Sequence, residues 1–393
     1  MAYQRSIVEI IKKRITEPRR FIQIVIGPRQ TGKTTAVNQA VSQVDCPCVF
    51  AEATKDESTQ DWVRAQWYQA RNMAASIKQP VLLVIDEVQY VRSWSSVVKT
   101  LWDEDTRTAM EIKVVLTGSS ASLIQDGLNE SLMGRFELIY SPHWSYSECA
   151  DAFGYSLEDF LYFGGYPGAA MLKDEQNRWL SYMHSSIIEP SIANDVLQLA
   201  DVRKPELMRR LFEVGAPYSG QEISYRKLLG QLDDKGNAAT VAHYLSLLSK
   251  AGLMSGLQKY DSKLIREKAS SPRLMVHDTS LMVAEFGRKR SKLLTDATLK
   301  GHLIESAVGA YLINRATAEG FSVFWWRDGS DEVDFVIADK EAVTAIEVKS
   351  GRVKSTKGMT RFLVENPDAH SIVVGSAGCS IEKFLLGEVE LFA

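Results

Sequence analysis

Five short apolar runs punctuate the first half of the chain: FIQIVI from Phe21, CVFAEA from Cys48, VLLVIDE from Val81, IKVVLTG from Ile112 and FELIY from Phe136. Helix-like stretches separate them. Short apolar runs alternating with helical segments predict a parallel sheet with crossover helices. This block covers about residues 21–200, behind an N-terminal helix over residues 1–20. From about 201 to 295 the pattern turns helical. There Val241, Tyr244, Leu245 and Leu248 recur at i, i+3, i+4 and i+7, one face of a helix that Gly252 ends. An earlier helix would hold Leu228 and Leu229, and a short strand pair is expected after Gly252. Residues 296–393 read as a helix, three strand-like runs, a helix and another strand. Pro205, the Ser-Ser-Pro at 270–272 and the RKRSK stretch from Arg288 are modest linker signals. The fold class is α/β.

Hydrophobic residues are 45% of the chain and charged residues 24%, which excludes a wholly disordered or collagen-like chain. No apolar run approaches the ~20 residues that cross a bilayer. The first twenty residues carry charges through their apolar positions and lack the apolar core of a secretory signal, so a cytoplasmic protein with no membrane partner is expected. Cys46 and Cys48 flank Pro47, while Cys149 and Cys379 are isolated. No second pair completes a zinc spacing, so reduced thiols are expected. The net charge of −3 hides an asymmetry: residues 201–300 hold 18 basic against 11 acidic side chains. A polyanion partner and a plain solvated surface both account for that excess.

The strongest chemistry follows the first apolar run. Gly27, Pro28, Arg29, Gln30, Thr31, Gly32, Lys33, Thr34 and Thr35 carry the GxxxxGK[ST] spacing. Its glycines let successive backbone amides face an anion, and the helix that follows aims its positive end at phosphates. Lys33 would reach the β- and γ-phosphates of ATP, and the Thr34 hydroxyl would sit on Mg²⁺. The run VLLVI ends in Asp86 and Glu87, at the carboxyl edge of the sheet. Asp86 would hold the Mg²⁺ shell, and Glu87 would orient and deprotonate the attacking water. A third strand ends in Thr117-Gly118-Ser119, and Thr117 and Ser119 are both candidates to reach the γ-phosphate or simple turn residues. Arg135 precedes the fifth run. It either acts on a neighbouring subunit's γ-phosphate, in a homo-oligomer, or pairs with Glu137 or Glu148 on the surface.

These motifs resemble the AAA+ ATPases, and more closely a prokaryotic group with a GPRQxGKTT loop and a C-terminal nuclease-like domain of unknown function. The GGYP at Gly164–Pro167 resembles the GxP signature of related signal-transducing ATPases, which implies a place for Pro167 beside the adenine. Residues 201–295 resemble a winged-helix lid. Its exposed helix positions, Thr240, His243, Ser246 and Lys250, are poor base readers. Lys259, Lys263, Arg266, Lys268, Arg273, Arg288, Lys289, Arg290 and Lys292 suit sequence-independent contacts to DNA phosphates, and a subunit-docking lid is the competing role.

In the last hundred residues strand alternation puts Glu332 with Asp334 and Glu347 with Lys349, and adjacent strands would bring Asp334 near Glu347. Paired carboxylates with a lysine can bind Mg²⁺ and orient water for phosphodiester hydrolysis. The pattern resembles the PD-(D/E)xK restriction-endonuclease-like fold. That likeness implies Asp334, Glu347 and Lys349 as nuclease residues, Glu305 on the leading helix as a further ligand, and a second divalent metal. Val333 stands where the family's proline would. The aromatic run Phe324-Trp325-Trp326 is read as core. ATP state would then set how the C-terminal domain is presented, either as a DNA nuclease or as a nucleotide-gated scaffold.

Overall fold

All five apolar runs are strands in the computed structural model, which describes residues 3–56, 58–119, 132–197, 202–232, 237–261, 271–351 and 357–392. The strands β1 (Ile22–Gly27), β2 (Cys48–Glu52), β3 (Val81–Asp86), β4 (Ile112–Ser119) and β5 (Phe136–Tyr140) pair in parallel in the order β2-β3-β4-β1-β5. Every residue of β1 and β3 is buried, as helices on both faces require, so their sequences run apolar instead of alternating. Side chains still alternate between faces. Val25, Leu82, Val84 and Val115 pack against α1 (Ser6–Thr16) and α2 (Lys33–Val41) through Val8, Ile11 and Val37. Ile24, Leu83, Ile85 and Val114 pack against α3 (Gln60–Ile77) and α4 (Trp94–Thr108) through Trp67, Trp94 and Leu101. Because β4 lies between β1 and β3, the carboxyl ends of all three share one edge.

The chain divides into two compact units, and the second begins at Pro142. That is earlier than the boundary near residue 200 suggested by the sequence. The helices α5 (Tyr146–Phe153), α6 (Leu157–Phe163), α7 (Pro167–Ala170) and α8 (Gln176–Tyr182) follow the last strand of the parallel sheet. Their partners come from later in the chain. Tyr146 and Leu161 share a core with Ile304 and Val308, the Tyr162 hydroxyl donates to the Arg288 carbonyl at 3.0 Å, and Lys300 pairs with Glu158 at 2.7 Å.

The middle of this unit runs α9 (Pro205–Gly215), α10 (Tyr225–Gln231), α11 (Ala238–Lys250) and an antiparallel pair, β6 (Met254–Leu257) with β7 (Arg273–Val276). Val241, Tyr244, Leu245 and Leu248 are the buried face of α11, His243 is exposed, and Gly252 at φ +74° turns the chain away. Then come α12 (Thr279–Phe286), α13 (Arg290–Thr295) and the long α14 (Ala297–Glu319). The strands β8 (Ser322–Asp328), β9 (Asp331–Ala338), β10 (Val343–Lys349) and β11 (His370–Gly375) form a sheet in the order β11-β10-β9-β8. Helix α15 (Lys357–Glu365) precedes β11, and α16 (Ile381–Leu385) follows it. Trp325 and Trp326 are buried core residues, as the sequence suggests.

The Gly-Gly of GGYP answers a packing demand. A Cβ on Gly164 would stand 1.8 Å from Asp278 Oδ1, and one on Gly165 2.2 Å from the Trp144 carbonyl. Asp278 is buried at the start of α12, where its carboxylate accepts from the Gly165 amide at 2.7 Å and the Ser280 amide at 2.9 Å. Replacing it strands two buried donors. Asp278→Ala should lower unfolding free energy by about 2 kcal/mol, read as an earlier denaturant midpoint. An unchanged midpoint would show that the contact between these two segments is dispensable.

Candidate functional site

The loop after β1 owes its shape to three local facts. Gly27 leaves no room for a side chain, since a Cβ there would lie 2.0 Å from the Ser141 carbonyl. Gln30 at φ 61° and Gly32 at φ 83° are left-handed, so the backbone curls back before α2 begins. Lys33 is buried, and its ammonium donates to the carbonyls of Gly27 at 3.0 Å and Pro28 at 2.7 Å. The Thr31 hydroxyl ties back to Pro28 at 3.0 Å. Arg29 is half-buried, while Gln30 and Thr35 face solvent.

The acid-tipped strand meets this loop. The Thr34 hydroxyl donates to Asp86 Oδ2 at 2.7 Å, and the Thr117 hydroxyl donates to Asp86 Oδ1. Thr117 also accepts from the Glu87 amide at 3.2 Å. One chain of hydrogen bonds thus links the first turn of α2, the end of β3 and the end of β4. Asp86 is 1% exposed and would be costly there without these partners. Glu87 sits at φ 52°, an uncommon conformation for a residue with a side chain, and its carboxylate accepts from the Gln89 amide. Ser119 is buried at the end of β4, in register with Gly27. A hydroxyl beside a carboxylate offers the hard oxygens that Mg²⁺ takes together with phosphate oxygens, so Thr34 and Asp86 fit that ion.

Two arginines differ from expectation. Arg135 pairs with neither Glu137 nor Glu148. Its guanidinium binds Asp103 of α4 through Nε at 2.6 Å and Nη2 at 3.0 Å, and this hydrogen-bonded pair holds Asp103 below the usual carboxylate range. Alternation along β5 turns Glu137 to Arg14, at 3.1 Å, and Glu148 caps α5 with Ser145. Arg5 was not legible as a site residue. It is buried beneath the loop and donates to the Thr31 carbonyl at 3.1 Å and Ser141 Oγ at 3.2 Å. Its only signal is a charge placed just before an amphipathic helix. Pro167 lies in the second unit, at the first position of α7.

The second unit brings the C-terminal candidates together. The β9–β10 pairing, with Ile346 opposite Phe335, puts Asp334 beside Glu347, and Asp334 Oδ2 accepts from the Val348 amide at 2.7 Å. Lys349 donates to Glu347 Oε1, while Glu347 Oε2 is buried without a hydrogen-bond partner. Arg273 joins them from β7. It is 3% exposed, so it cannot meet DNA phosphates as its place in the basic stretch suggested. Its Nη1 donates to Glu305 Oε1 at 3.2 Å and the Asp334 carbonyl at 3.1 Å, and it lies 3.6 Å from Asp334 Oδ1. Nη2 lies 3.7 Å from Glu332. Burial, then the charge of Asp334, pushes Glu305 up to about 8 and Glu347 up to about 7. Arg290 is engaged with Asp159 at 2.7 Å, Arg288, Lys289 and Lys292 are exposed, and Lys263, Arg266 and Lys268 lie outside the described residues.

The family described as AAA domain matches residues 19–150. Residues 154–292 and 300–382 match two domains of unknown function, DUF8612 and DUF4143. Residues 19–150, which hold the five-stranded parallel sheet and the loop after β1, are thus similar to AAA domains. An uncharacterized protein of Haemophilus influenzae is 23% identical over 347 residues, covering 84% of this chain and 82% of its own. The uncharacterized protein MJ1544 of Methanocaldococcus jannaschii is 24% identical, covering 80% of this chain and 72% of its own. Among solved structures, the Walker-type ATPase PABY2304 of Pyrococcus abyssi aligns over 73% of this chain and 96% of its own, with a TM-score of 0.49 and 11% identity.

Two outcomes follow. Arg5→Met removes the side-chain bonds beneath the loop, and ATP affinity should fall about tenfold, the equivalent of about 1.4 kcal/mol, with the fold intact by circular dichroism. Unchanged affinity would make Arg5 a mere core residue. Glu305 holds its proton more tightly folded than unfolded, so its contribution to stability is complete below pH 4.5 and is lost as pH rises through about 8. Glu305→Gln should flatten the stability profile across that window, measured by unfolding midpoints at successive pH values.

Proposed function

We propose that this chain binds ATP with Mg²⁺ in the loop after β1, hydrolyses it, and uses the nucleotide state to control what residues 296–393 present. The observation that carries this reading is the Thr34–Asp86–Thr117 hydrogen-bond chain beside a buried Lys33, at the shared edge of β1, β3 and β4. In this reading the amides from Gly27 to Thr35 cradle the phosphates at the positive end of α2. Lys33 trades its carbonyl contacts for phosphate oxygens. Thr34 and Asp86 would hold Mg²⁺, which would supply neutralisation of phosphate charge. Thr117, bound to Asp86 and the Glu87 amide, fixes the end of β3, and Thr117 and Ser119 are both candidates to reach the γ-phosphate. Glu87 exchanges Gln89 for the attacking water and takes its proton.

Arg135 completes the site of a neighbouring copy in a homo-oligomer, exchanging Asp103 for that copy's γ-phosphate. Two features support a DNA contact in residues 201–295. The order α9, α10, α11, β6, β7 is the one a winged helix needs, and Arg288, Lys289 and Lys292 are exposed.

Glu87→Gln should still bind ATP while turnover drops about 10²- to 10⁴-fold, the range of a positioned general base. Unchanged turnover would take Glu87 out of its role. Turnover per chain should rise with protein concentration in the wild type and stay flat in Arg135→Ala. A wild-type rate indifferent to dilution would remove the role in trans.

A further inference from the structure

The likeness to nucleases implies a divalent metal among Glu305, Asp334 and Glu347, and the residues present do not fit one. A guanidinium already lies among the acids. Arg273 Nη1 is within 3.2 Å of Glu305 and 3.6 Å of Asp334, and Nη2 is 3.7 Å from Glu332. Its side chain is 3% exposed, so it is fixed there and not borrowed from the surface. The Trp325 ring lies 5.4 Å away on another side. Lys349 compensates Glu347, and Arg327 compensates Glu332. Among the described residues no group of three or more His, Cys, Asp or Glu side chains stands in an arrangement that could hold a metal ion.

We propose that Arg273 is the resident cation of this cluster, contributed by β7 to acids on α14 and β9, and that it closes the site to divalent ions. Residues 296–393 then act without a metal and not as a metal-dependent phosphodiesterase. The same guanidinium ties the β6–β7 pair to the C-terminal sheet through the Asp334 carbonyl at 3.1 Å. Without it, Glu305 and Asp334 would lose their shared cation near the unpartnered Glu347 Oε2, and carboxylate oxygens are the donors that Mn²⁺ accepts once they can draw together.

The test is Mn²⁺ binding by the full chain without nucleotide, followed by calorimetry. Each protein is compared with its own Asp334→Asn counterpart, so that binding at Asp86 cancels. The wild type should match Asp334→Asn. Arg273→Met should gain an Asp334-dependent site roughly tenfold tighter than any binding in the wild type. Mn²⁺ binding by the wild type that disappears in Asp334→Asn would overturn the proposal. So would Asp334-dependent cleavage of DNA by the wild type, or an Arg273→Met protein that folds and gains no site. If Arg273→Met does not fold, the two wild-type measurements still decide. ATP turnover, measured alongside, is independent of every one of these outcomes.

Discussion

Asp86 is a carboxylate at the tip of a strand buried on both faces, and the first unit is organised around satisfying it. A charge in that position is tolerable only when both oxygens are occupied. Thr34 reaches one from the start of α2, and Thr117 reaches the other from β4. Neither hydroxyl could arrive without the strand order. Parallel strands put their carboxyl ends on one edge, and β4 inserted between β1 and β3 sets Thr117 between the loop and the acid. The constraint also explains Glu87. The chain must turn sharply after Asp86 while its amide stays bound to Thr117, and the left-handed backbone at Glu87 is how it does so. Placing the second acid therefore carries a local backbone cost, the kind of strain that persists where surrounding contacts over-determine it.

The two buried arginines serve different ends. Arg5 supports the loop after β1 from below, donating to the Thr31 carbonyl and the Ser141 hydroxyl. Arg273 is surrounded by acids, and its charge is spent locally. Burial that costs more than pairing returns is common for such groups, so the cluster is weak evidence for stability. What it does fix is position, because the planar guanidinium can meet three acids and a carbonyl in only a narrow range of orientations.

The strands were legible because each is a short apolar run with turn residues at its ends. The loop and Asp86 were legible because their chemistry is local: nine consecutive residues in one case, the tip of one strand in the other. The partners of Arg135 were not. Its position before β5 was clear, but the choice between Glu137, Glu148 and Asp103 depends on how α4 lies on the sheet, and no spacing along the chain encodes that. The boundary at Pro142 was hidden for the same reason. The amphipathic helices that follow it are silent about which later residues cover them, and Asp278, more than a hundred positions on, explains the first glycine of GGYP.

The two carboxylate sites look alike as sequence and differ as chemistry. Each has a strand-borne acid, a second acid nearby and a lysine among its candidate residues. In the first, hydroxyls satisfy Asp86. A hydroxyl can accept as well as donate, so the same oxygens can turn to a cation supplied with the nucleotide. In the second, a guanidinium satisfies the acids. It offers only donors and carries its own charge, so a metal ion entering there would have to displace a buried cation and leave it unpaired. In the proposed roles, hydroxyl against guanidinium is the difference between a site that exchanges ions and one that excludes them. In the second site it is decided by one residue at the head of β7, outside every motif that drew attention to the acids.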